Sequence, residues 1–438
     1  MATTPTLESL RDLGRNHFLA RCRRSLPPDG FNALQPRIDK RIVTRIGGNG
    51  PIGRAEVGAF AFPIMASTLS TPGNPFLQAS VGGSESTIAA RAGDALTFGF
   101  DLWLSIGMLL ADSRLARQVL HVDDLLTPVV DHLENLVLQD LAPEYGPLGS
   151  PWPGGSSFAI ALSHDVDRIH KTFQRFTHSI GEARQGSLRH ALDIATSRNP
   201  DAYWRFDDII RLERGLDTKS TFFFLHEAPG DERISLRNRL LLTGACRLDN
   251  PRVQNAIREI ENSGWGIGLH SSSFARGDRE RLREEKAILE RIAKRPIRGV
   301  RQHFLSPEVQ SLWDPQIASG FSFDSTMGYS DRLGFRAGTC FPYCVEPASA
   351  FLEIPFQIMD GAIDPSHRAT EDRCLRVLRE VEAVGGLLVL LWHQRFFNDS
   401  EFPGFTGLYE RLIREARNRG AWVGSLEEVE RHWSGTAA

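Results

Sequence analysis

Short apolar runs alternate with amphipathic segments over the C-terminal part of the chain. Apolar residues recur at helical spacing in the longer segments, such as NPRVQNAIREIENSG and GDRERLREEKAILERIAKR. Strands that are apolar on both faces and alternate with helices favour parallel pairing, so the pattern predicts an α/β fold. The number of runs favours a barrel near the size of the eight-stranded one, with an open doubly wound sheet as the alternative. No glycine-rich phosphate loop follows the first run, which disfavours a nucleotide-binding open sheet. The runs are FAIALS, STFFFL, GWGIGLH, IRGVR, FSFD, AFLEIPF and GLLVLLW.

A segment rich in proline and glycine, residues 141–157, predicts a domain boundary. We expect a smaller N-terminal domain over residues 1–150, either α+β or mostly helical, and a larger domain over residues 151–438. The apolar residues 96–111 predict a buried helix and no membrane insertion, because they include Asp101 and fall short of the roughly 20 residues that cross a bilayer. The role of the N-terminal domain stays open.

Composition excludes several classes of protein. The 438 residues include 51 basic and 54 acidic ones, for a formal net charge of −3. Nucleic acids and anionic membranes need a concentrated basic surface, which this balance does not indicate. The first residues contain no uninterrupted apolar core before a small-residue cleavage site, which predicts a cytoplasmic protein. Five scattered cysteines indicate reduced thiols rather than a disulfide framework.

Ionisable residues follow the predicted strands at the point where each strand ends. In a β/α barrel the carboxyl ends of the strands converge on one face, so these side chains would meet there. A single histidine or aspartate at a strand end is usually a loop cap or a solvated group, but their joint occurrence indicates a site. The residues are His164, Asp165, Asp167, His226, His270, Arg301, His303, Asp324 and His393.

The pair Asp165 and Asp167 points to a metal ion. In an extended segment both carboxylates face the same side, where they resist ionising together unless a cation lies between them. Two histidines and one carboxylate are a ligand set of catalytic Zn²⁺ and related ions. A second carboxylate can act as a base, an arginine can orient it, and a further histidine can protonate a leaving group, which indicates metal-assisted hydrolysis. His164 alternates away from Asp165, so we expect a structural hydrogen bond there.

From about residue 157 to residue 433 the chain resembles the polysaccharide deacetylases of the NodB-homology type, carbohydrate esterases that remove N- or O-acetyl groups from sugars. The family's first motif, a pair of aspartates after the first strand, matches HDVD. The resemblance implies a distorted (β/α)₇ barrel, with Asp165 as the general base and Asp167 as a metal ligand.

The two middle motifs depart from the family pattern. The second is usually H-x-x-x-H with two metal-binding histidines, and here it is HSSSF, in which His270 matches and Phe274 replaces the second histidine. The third is typically R-x-P, and here it is RQH, in which Arg301 matches the arginine that orients the base and His303 replaces the proline. We infer that His303 supplies the missing ligand, because a residue two positions beyond Arg301 faces the same side of the strand edge.

The last motif places a histidine after the final strand and matches LLVLLWHQ. By this resemblance His393 is the general acid, with Leu391 or Trp392 lining a pocket for the acetyl methyl group. GLHSSSFA, GVRQHFL, DSTMGYSDRLGFRAGTCFPY and LLWHQ together also resemble a subgroup with an extra N-terminal domain, associated with bacterial surface-polysaccharide or small-molecule biosynthesis. In the third of these, Asp331 and Arg336 are candidate substrate contacts, with an ion pair between them as the alternative.

The resemblance implies a metal-dependent carbohydrate deacetylase, a hydrolase of C–N bonds other than peptide bonds. Its metal would be Zn²⁺, with Co²⁺, Ni²⁺, Fe²⁺ or Mn²⁺ as alternatives. Its substrate would be an N-acetylated sugar or a sugar-containing biosynthetic intermediate; a cytoplasmic location favours a nucleotide-linked, lipid-linked or small soluble sugar. Hydrolysis of another amide or an O-acetyl ester and a non-catalytic carbohydrate-binding role both stay open. Whether the chain forms a homo-oligomer also stays open.

Overall fold

In a computed structural model, the chain folds into an N-terminal α+β part followed by a barrel. The structure describes residues 6–44, 52–57, 60–65, 74–81, 83–112, 120, 122–171, 188, 192, 201–227, 244–346 and 349–435.

The N-terminal part combines helices with an antiparallel-rich sheet, in agreement with the α+β form of the expected N-terminal domain. Its helices are α1 (Leu7–Ser25), α2 (Pro28–Leu34), α3 (Ile38–Arg41), α4 (Leu102–Leu110) and α5 (Val129–Tyr145). Its strands are β1 (Ile42–Thr44), β2 (Ile52–Val57), β3 (Phe60–Met65), β4 (Asn74–Val81), β5 (Ser84–Ala92) and β6 (Ala95–Phe98). The strand order is β1-β6-β5-β4-β2-β3, and among these pairs only β1 and β6 run parallel.

The apolar residues 96–111 do not form one helix, contrary to our expectation. They begin in β6, and the helix starts only after Asp101, whose side chain accepts a hydrogen bond from Leu104 N (3.1 Å) as an N-cap. The cap residue has a non-helical backbone, so it separates the strand from the helix. The first residues of the predicted boundary segment, 141–145, belong to α5, and Gly146 (φ 107°) follows the helix as its C-cap. Among the described residues, no helix has both the length and the apolar character needed to span a membrane.

The C-terminal part contains mostly parallel strands separated by helices. Its strands are β7 (Phe158–Val166), β8 (Thr221–Leu225), β9 (Gly266–Ser271), β10 (Gly299–Gln302), β11 (Phe323–Asp324), β12 (Tyr343–Glu346), β13 (Phe351–Glu353), β14 (Ile358–Met359), β15 (Leu387–Leu391) and β16 (Ala421–Ser425). Its helices are α6 (Phe206–Gly215), α7 (Pro251–Asn262), α8 (Arg279–Ala293), α9 (Gln310–Ala318), α10 (Arg368–Val384), α11 (Phe405–Asn418) and α12 (Leu426–Gly435).

These strands form a distorted barrel, as predicted. β7, β8, β9, β10, β11 and β13 pair in parallel in that order, and β14 pairs with β15, which pairs with β7. β13 and β14 belong to one chain segment, residues 351–359, which pairs near its start with β11 and at its end with β15. Each of the seven predicted apolar runs contributes a strand to this barrel. β16 adds a further pair along the first half of β7.

Two buried acidic residues end neighbouring strands of the barrel. Asp324 in β11 is opposite Glu353 in β13. Thr326 donates to Asp324 Oδ1 (2.5 Å), and the Trp313 indole donates to Glu353 Oε2 (2.9 Å). Burial raises the pKa of Asp324 to about 6, and burial together with Asp324 raises the pKa of Glu353. The folded chain therefore favours a protonated carboxyl group at this position.

We predict that Asp324→Asn makes stability less sensitive to pH. A pKa raised above its unfolded value stabilises the native state at low pH, and this contribution is lost as pH rises through about 6. Between pH 4.5 and pH 7.5 the free energy of unfolding of the wild type should fall by roughly 2 kcal/mol more than that of the variant. Urea unfolding at both pH values measures this, with Asp331→Asn at an exposed site as control. Equal pH dependence in wild type and Asp324→Asn would contradict the assignment.

The N-terminal part is bonded to the loop between β11 and β12. Arg336 in this loop donates to Asp112 Oδ2 from Nε (2.9 Å) and Nη2 (2.6 Å), and both side chains are buried. Asp131 of α5 accepts hydrogen bonds from the Thr339 hydroxyl (2.6 Å) and from Cys340 N (2.8 Å). A buried ion pair and two buried hydrogen bonds therefore attach this loop to the N-terminal part.

The five cysteines are free thiols, as expected.

Replacing Asp112 by Ala should destabilise the protein strongly. The change leaves the buried Arg336 guanidinium without its carboxylate, which typically costs about 3 kcal/mol or more. Chemical unfolding monitored by tryptophan fluorescence measures the loss. Asp331→Ala is the matched control, because Asp331 forms an exposed pair with Arg332 that should contribute less than about 1 kcal/mol. Similar unfolding midpoints for the two variants would refute a stabilising role for the buried pair.

Candidate active site

The carboxyl ends of β7, β9, β10 and β15 bring ionisable side chains together at one end of the barrel. Parallel register places neighbouring residues side by side, so that Arg301 in β10 is opposite His270 in β9. Six of the nine residues expected to meet at the strand ends lie together. They are Asp165, Asp167, His270, Arg301, His303 and His393.

Arg301 holds the Asp165 carboxylate. Its Nη1 donates a hydrogen bond to Asp165 Oδ1 (2.7 Å), and both side chains are buried. Ser325 fixes the guanidinium, because its carbonyl oxygen accepts from Nε (2.7 Å) and its hydroxyl accepts from Nη2 (3.0 Å). Burial raises the pKa of Asp165, but Arg301 and then the neighbouring histidines bring it below its ordinary value. Asp165 is therefore ionised at neutral pH and able to accept a proton.

Asp167, His270 and His303 form a compact cluster. Each offers one ligand atom, and these atoms lie within 4.8 Å of one another. His270 Nδ1 donates to the Arg301 carbonyl oxygen (3.0 Å). This leaves His270 Nε2 facing the aspartates, 3.2 Å from Asp167 Oδ1 and 3.7 Å from Asp165 Oδ2. Metal-binding histidines are commonly oriented in this way, through a hydrogen bond from the second ring nitrogen.

This cluster fits a divalent metal ion. Its ligand atoms lie within 4.8 Å of one another. Ligand atoms around a tetrahedral Zn²⁺ are about 3.5 Å apart, so a small movement of the side chains would enclose the ion. Asp167 Oδ1 is buried and has no well-formed hydrogen bond to any described residue. Burial raises the pKa of Asp167, but His393, His270 and His303 hold it well below its ordinary value. The site therefore contains an ionised carboxylate oxygen and two imidazoles, which is a donor set that suits Zn²⁺.

His303, rather than Phe274, faces His270. The rings of His303 and His270 have centres 5.1 Å apart, in an edge-to-face arrangement. Phe274 lies instead beneath the Arg281 guanidinium, 5.0 Å from its ring centre. The residue inferred to replace the missing histidine thus lies within the cluster, and its role as a metal ligand stays a prediction.

The two residues after His303 adopt a left-handed backbone. The angle φ is 61° at Phe304 and 53° at Leu305, values that are uncommon for bulky residues and concentrate at functional sites. The turn is closed by Leu305 N, which donates to the Gln302 carbonyl oxygen (2.9 Å). It leaves Phe304 76% exposed, with its ring stacked on His303 at 3.8 Å between centres. An exposed aromatic ring therefore covers one side of His303.

His393 points its Nε2 toward the same cluster, 3.2 Å from Asp167 Oδ2. Its Nδ1 donates to Asp360 Oδ1 (2.8 Å), and its backbone N–H also bonds to Asp360. Burial and Arg395 lower the pKa of His393, but Asp360 and Asp167 raise it to about 9. His393 is therefore protonated at neutral pH in this geometry, the form that can donate a proton.

Sequence reasoning missed Glu227, Asp360 and Arg395. Glu227 follows β8 and contacts His303, Asp360 follows β14 directly, and Arg395 Nη1 donates to Asp167 Oδ2 (3.1 Å). The strand-end rule selected His226 instead of its neighbour Glu227. His226 accepts a hydrogen bond from Leu248 N (3.1 Å). Because successive side chains of a strand alternate in direction, the choice between two adjacent residues depends on where the strand ends.

His164 has the structural role expected of it. It is fully buried, with Nδ1 2.7 Å from the Trp392 carbonyl oxygen and Nε2 2.8 Å from Glu213 Oε1. These contacts link β7 to the end of β15 and to α6. A buried imidazole with both nitrogens engaged stabilises the barrel.

The candidate substrate contacts Trp392, Arg336 and Asp331 each contact other residues here, and their contact with substrate stays a prediction; the ion pair between Asp331 and Arg336 does not form. Trp392 is buried against Tyr409 (5.5 Å between ring centres) on α11, because strand alternation directs it away from the side that His393 faces. Arg336 is bound to Asp112 in the N-terminal part, and the exposed Asp331 pairs with its neighbour Arg332 (2.7 Å). Leu391, two residues before His393, is buried in β15, and its contact with substrate stays a prediction.

No family model and no curated protein sequence matches the chain. Several solved structures do. A Mycobacterium smegmatis protein assigned to the polysaccharide deacetylases is 17% identical, with a TM-score of 0.42, over 65% of this chain and 93% of its own. Puue allantoinase is 16% identical, with a TM-score of 0.43, over 66% of this chain and 95% of its own. A CE4 family pseudoenzyme from Bacillus anthracis is 12% identical, with a TM-score of 0.33, over 62% of this chain and 65% of its own.

Identities and TM-scores of this size leave the activity of the chain open. The Mycobacterium smegmatis protein is described as a polysaccharide deacetylase, which is the family that the sequence motifs resemble.

Proposed function

We propose that this chain is a metal-dependent hydrolase that removes an acetyl group from an N-acetylated sugar or a sugar-containing biosynthetic intermediate. The observation that carries the proposal is the position of the Asp165–Arg301 pair beside the cluster of Asp167, His270 and His303. An ionised base lies next to a set of metal-ligand atoms, and a protonated histidine lies opposite. This arrangement suits hydrolysis of an amide.

Each residue has a proposed role in the reaction. Asp167, His270 and His303 would hold the metal ion, Zn²⁺ in the first instance, which when bound supplies Lewis-acid chemistry at the carbonyl and lowers the pKa of water. Asp165 accepts the proton of the attacking water, and Arg301 keeps that carboxylate charged and oriented. His393 donates a proton from Nε2 to the departing amine, which is otherwise too basic to leave.

The same residues weigh against a purely sugar-binding role. A binding module needs neither the buried Asp165–Arg301 pair nor the His393–Asp360 pair, and both impose a cost of burying charge. Hydrolysis of another amide or of an O-acetyl ester uses the same groups. These reactions are therefore distinguished by the products that are released from each substrate.

Asp165→Asn should reduce turnover by about 100- to 10,000-fold, because the amide cannot act as the base. The test is release of acetate from N-acetylglucosamine oligomers, nucleotide-linked N-acetylglucosamine and an O-acetylated sugar by Zn²⁺-loaded protein. Zinc content should stay unchanged in the variant, and Asp372→Asn, at an exposed position of α10, should retain full activity. Substantial activity in Asp165→Asn would exclude this residue as the base. Sugar binding by the wild type without any acetate release would favour the non-catalytic alternative.

His303→Ala should weaken zinc binding, because it removes one of three protein ligands. We expect zinc affinity to fall by more than the roughly 10- to 100-fold that is typical when a residue hydrogen-bonded to a metal ligand is replaced. Competition with a chromogenic chelator measures the affinity. His226→Ala is the matched control, since His226 makes a backbone hydrogen bond at the end of β8. Unchanged zinc affinity in His303→Ala would remove this residue from the ligand set.

A further inference from the structure

Glu227 links the two motifs that depart from the family pattern. It lies just beyond β8 and is buried, with 1% of its surface exposed. Its Oε1 accepts hydrogen bonds from Ser273 N (3.1 Å) and the Ser273 hydroxyl (2.5 Å). The same carboxylate faces His303 Nδ1, at 3.4 Å from Oε1 and 3.3 Å from Oε2. One side chain therefore contacts both the HSSSF segment and the RQH segment.

The contact with Glu227 determines which nitrogen of His303 can serve as a ligand. A carboxylate accepts but does not donate, so it selects the tautomer in which Nδ1 carries the proton. Nε2 is then the nitrogen with a free lone pair, in a residue that lies in one cluster with Asp167 and His270. The backbone of His303 is fixed separately, through its N–H to the Ser271 carbonyl oxygen (2.9 Å), but that bond does not set the ring orientation.

We propose that Glu227 is a positioning residue that makes His303 usable as the replacement metal ligand. The inference rests on the proposed function, in which His303 binds the metal. Two residues together compensate for Phe274 in place of the second histidine of H-x-x-x-H: His303 provides a nitrogen just beyond β10, and Glu227 orients its ring from just beyond β8. Partners of this kind typically contribute 10- to 100-fold in metal affinity.

The chain contains a matched control for this role. Glu285 on α8 is also buried, and it accepts hydrogen bonds from Ser272 N (3.0 Å) and the Ser272 hydroxyl, the residue before Ser273. Glu285 thus holds the same segment in the same way as Glu227. Of the two, Glu227 is the carboxylate that contacts His303. Comparing substitutions of Glu227 and Glu285 therefore distinguishes support of the Ser272–Ser273 segment from orientation of the His303 ring.

The first experiment measures zinc affinity of the full chain by chelator competition. Glu227→Ala should bind Zn²⁺ about 10- to 100-fold more weakly than wild type, Glu227→Gln should recover part of the loss, and Glu285→Ala should stay within about 3-fold. Equal losses in Glu227→Ala and Glu285→Ala would overturn the proposal, since Glu227 would then act only through the segment. Wild-type affinity in Glu227→Ala would overturn it as well.

The second experiment works without metal. Nitrogen NMR of metal-free protein with labelled histidine, assigned with His303→Ala, should show the Nδ1-protonated tautomer of His303 in wild type and its loss in Glu227→Ala. An unchanged tautomer in Glu227→Ala would refute the positioning role. Failure of the wild type to bind zinc would instead refute the proposed function, so the two ideas fail by different observations.

Discussion

The Asp165–Arg301 ion pair is the interaction on which the arrangement of the site depends. Both partners are buried in the barrel, 2.7 Å apart, and the Phe223 ring lies 4.4 Å from the guanidinium. Desolvating two charges is costly, and attraction between them compensates only when their remaining hydrogen-bonding groups are also satisfied. Ser325 satisfies the guanidinium with both its carbonyl oxygen and its hydroxyl. The pair thereby keeps a reactive carboxylate ionised in an environment that would otherwise protonate it.

The rest of the site is built around this pair by strand register. His270 is opposite Arg301 and bonds to its carbonyl oxygen, so the orientation of the imidazole follows from the position of the arginine. Asp167 then lies between His270 and His393, whose second nitrogen is held by Asp360. Negative and positive groups alternate across the site, which lets several buried charges coexist.

The N-terminal part contributes to this end of the barrel through charge as well. The loop that carries Arg336 begins just after β11 with Ser325, the residue that fixes the Arg301 guanidinium, and Asp112 of the N-terminal part anchors it. Next to Ser325, burial raises the pKa values of Asp324 and Glu353, which favours a protonated carboxyl group in this pair and avoids a further buried charge.

Hydrophobic periodicity alone determined much of the architecture, because the seven apolar runs and the segments between them reflect burial on both faces of a strand and on one face of a helix. The strand-end rule also found Asp165, Asp167, His270, Arg301, His303 and His393, since carboxyl ends of parallel strands converge in any such barrel. Tertiary structure decided what depends on direction and on distant partners. Glu227 and Asp360 contact histidines 76 and 33 residues away, Trp392 turns to the outer helices, and Arg336 binds a carboxylate in the N-terminal part. No local pattern encodes such pairings, because they arise only when strands that are far apart in sequence become neighbours.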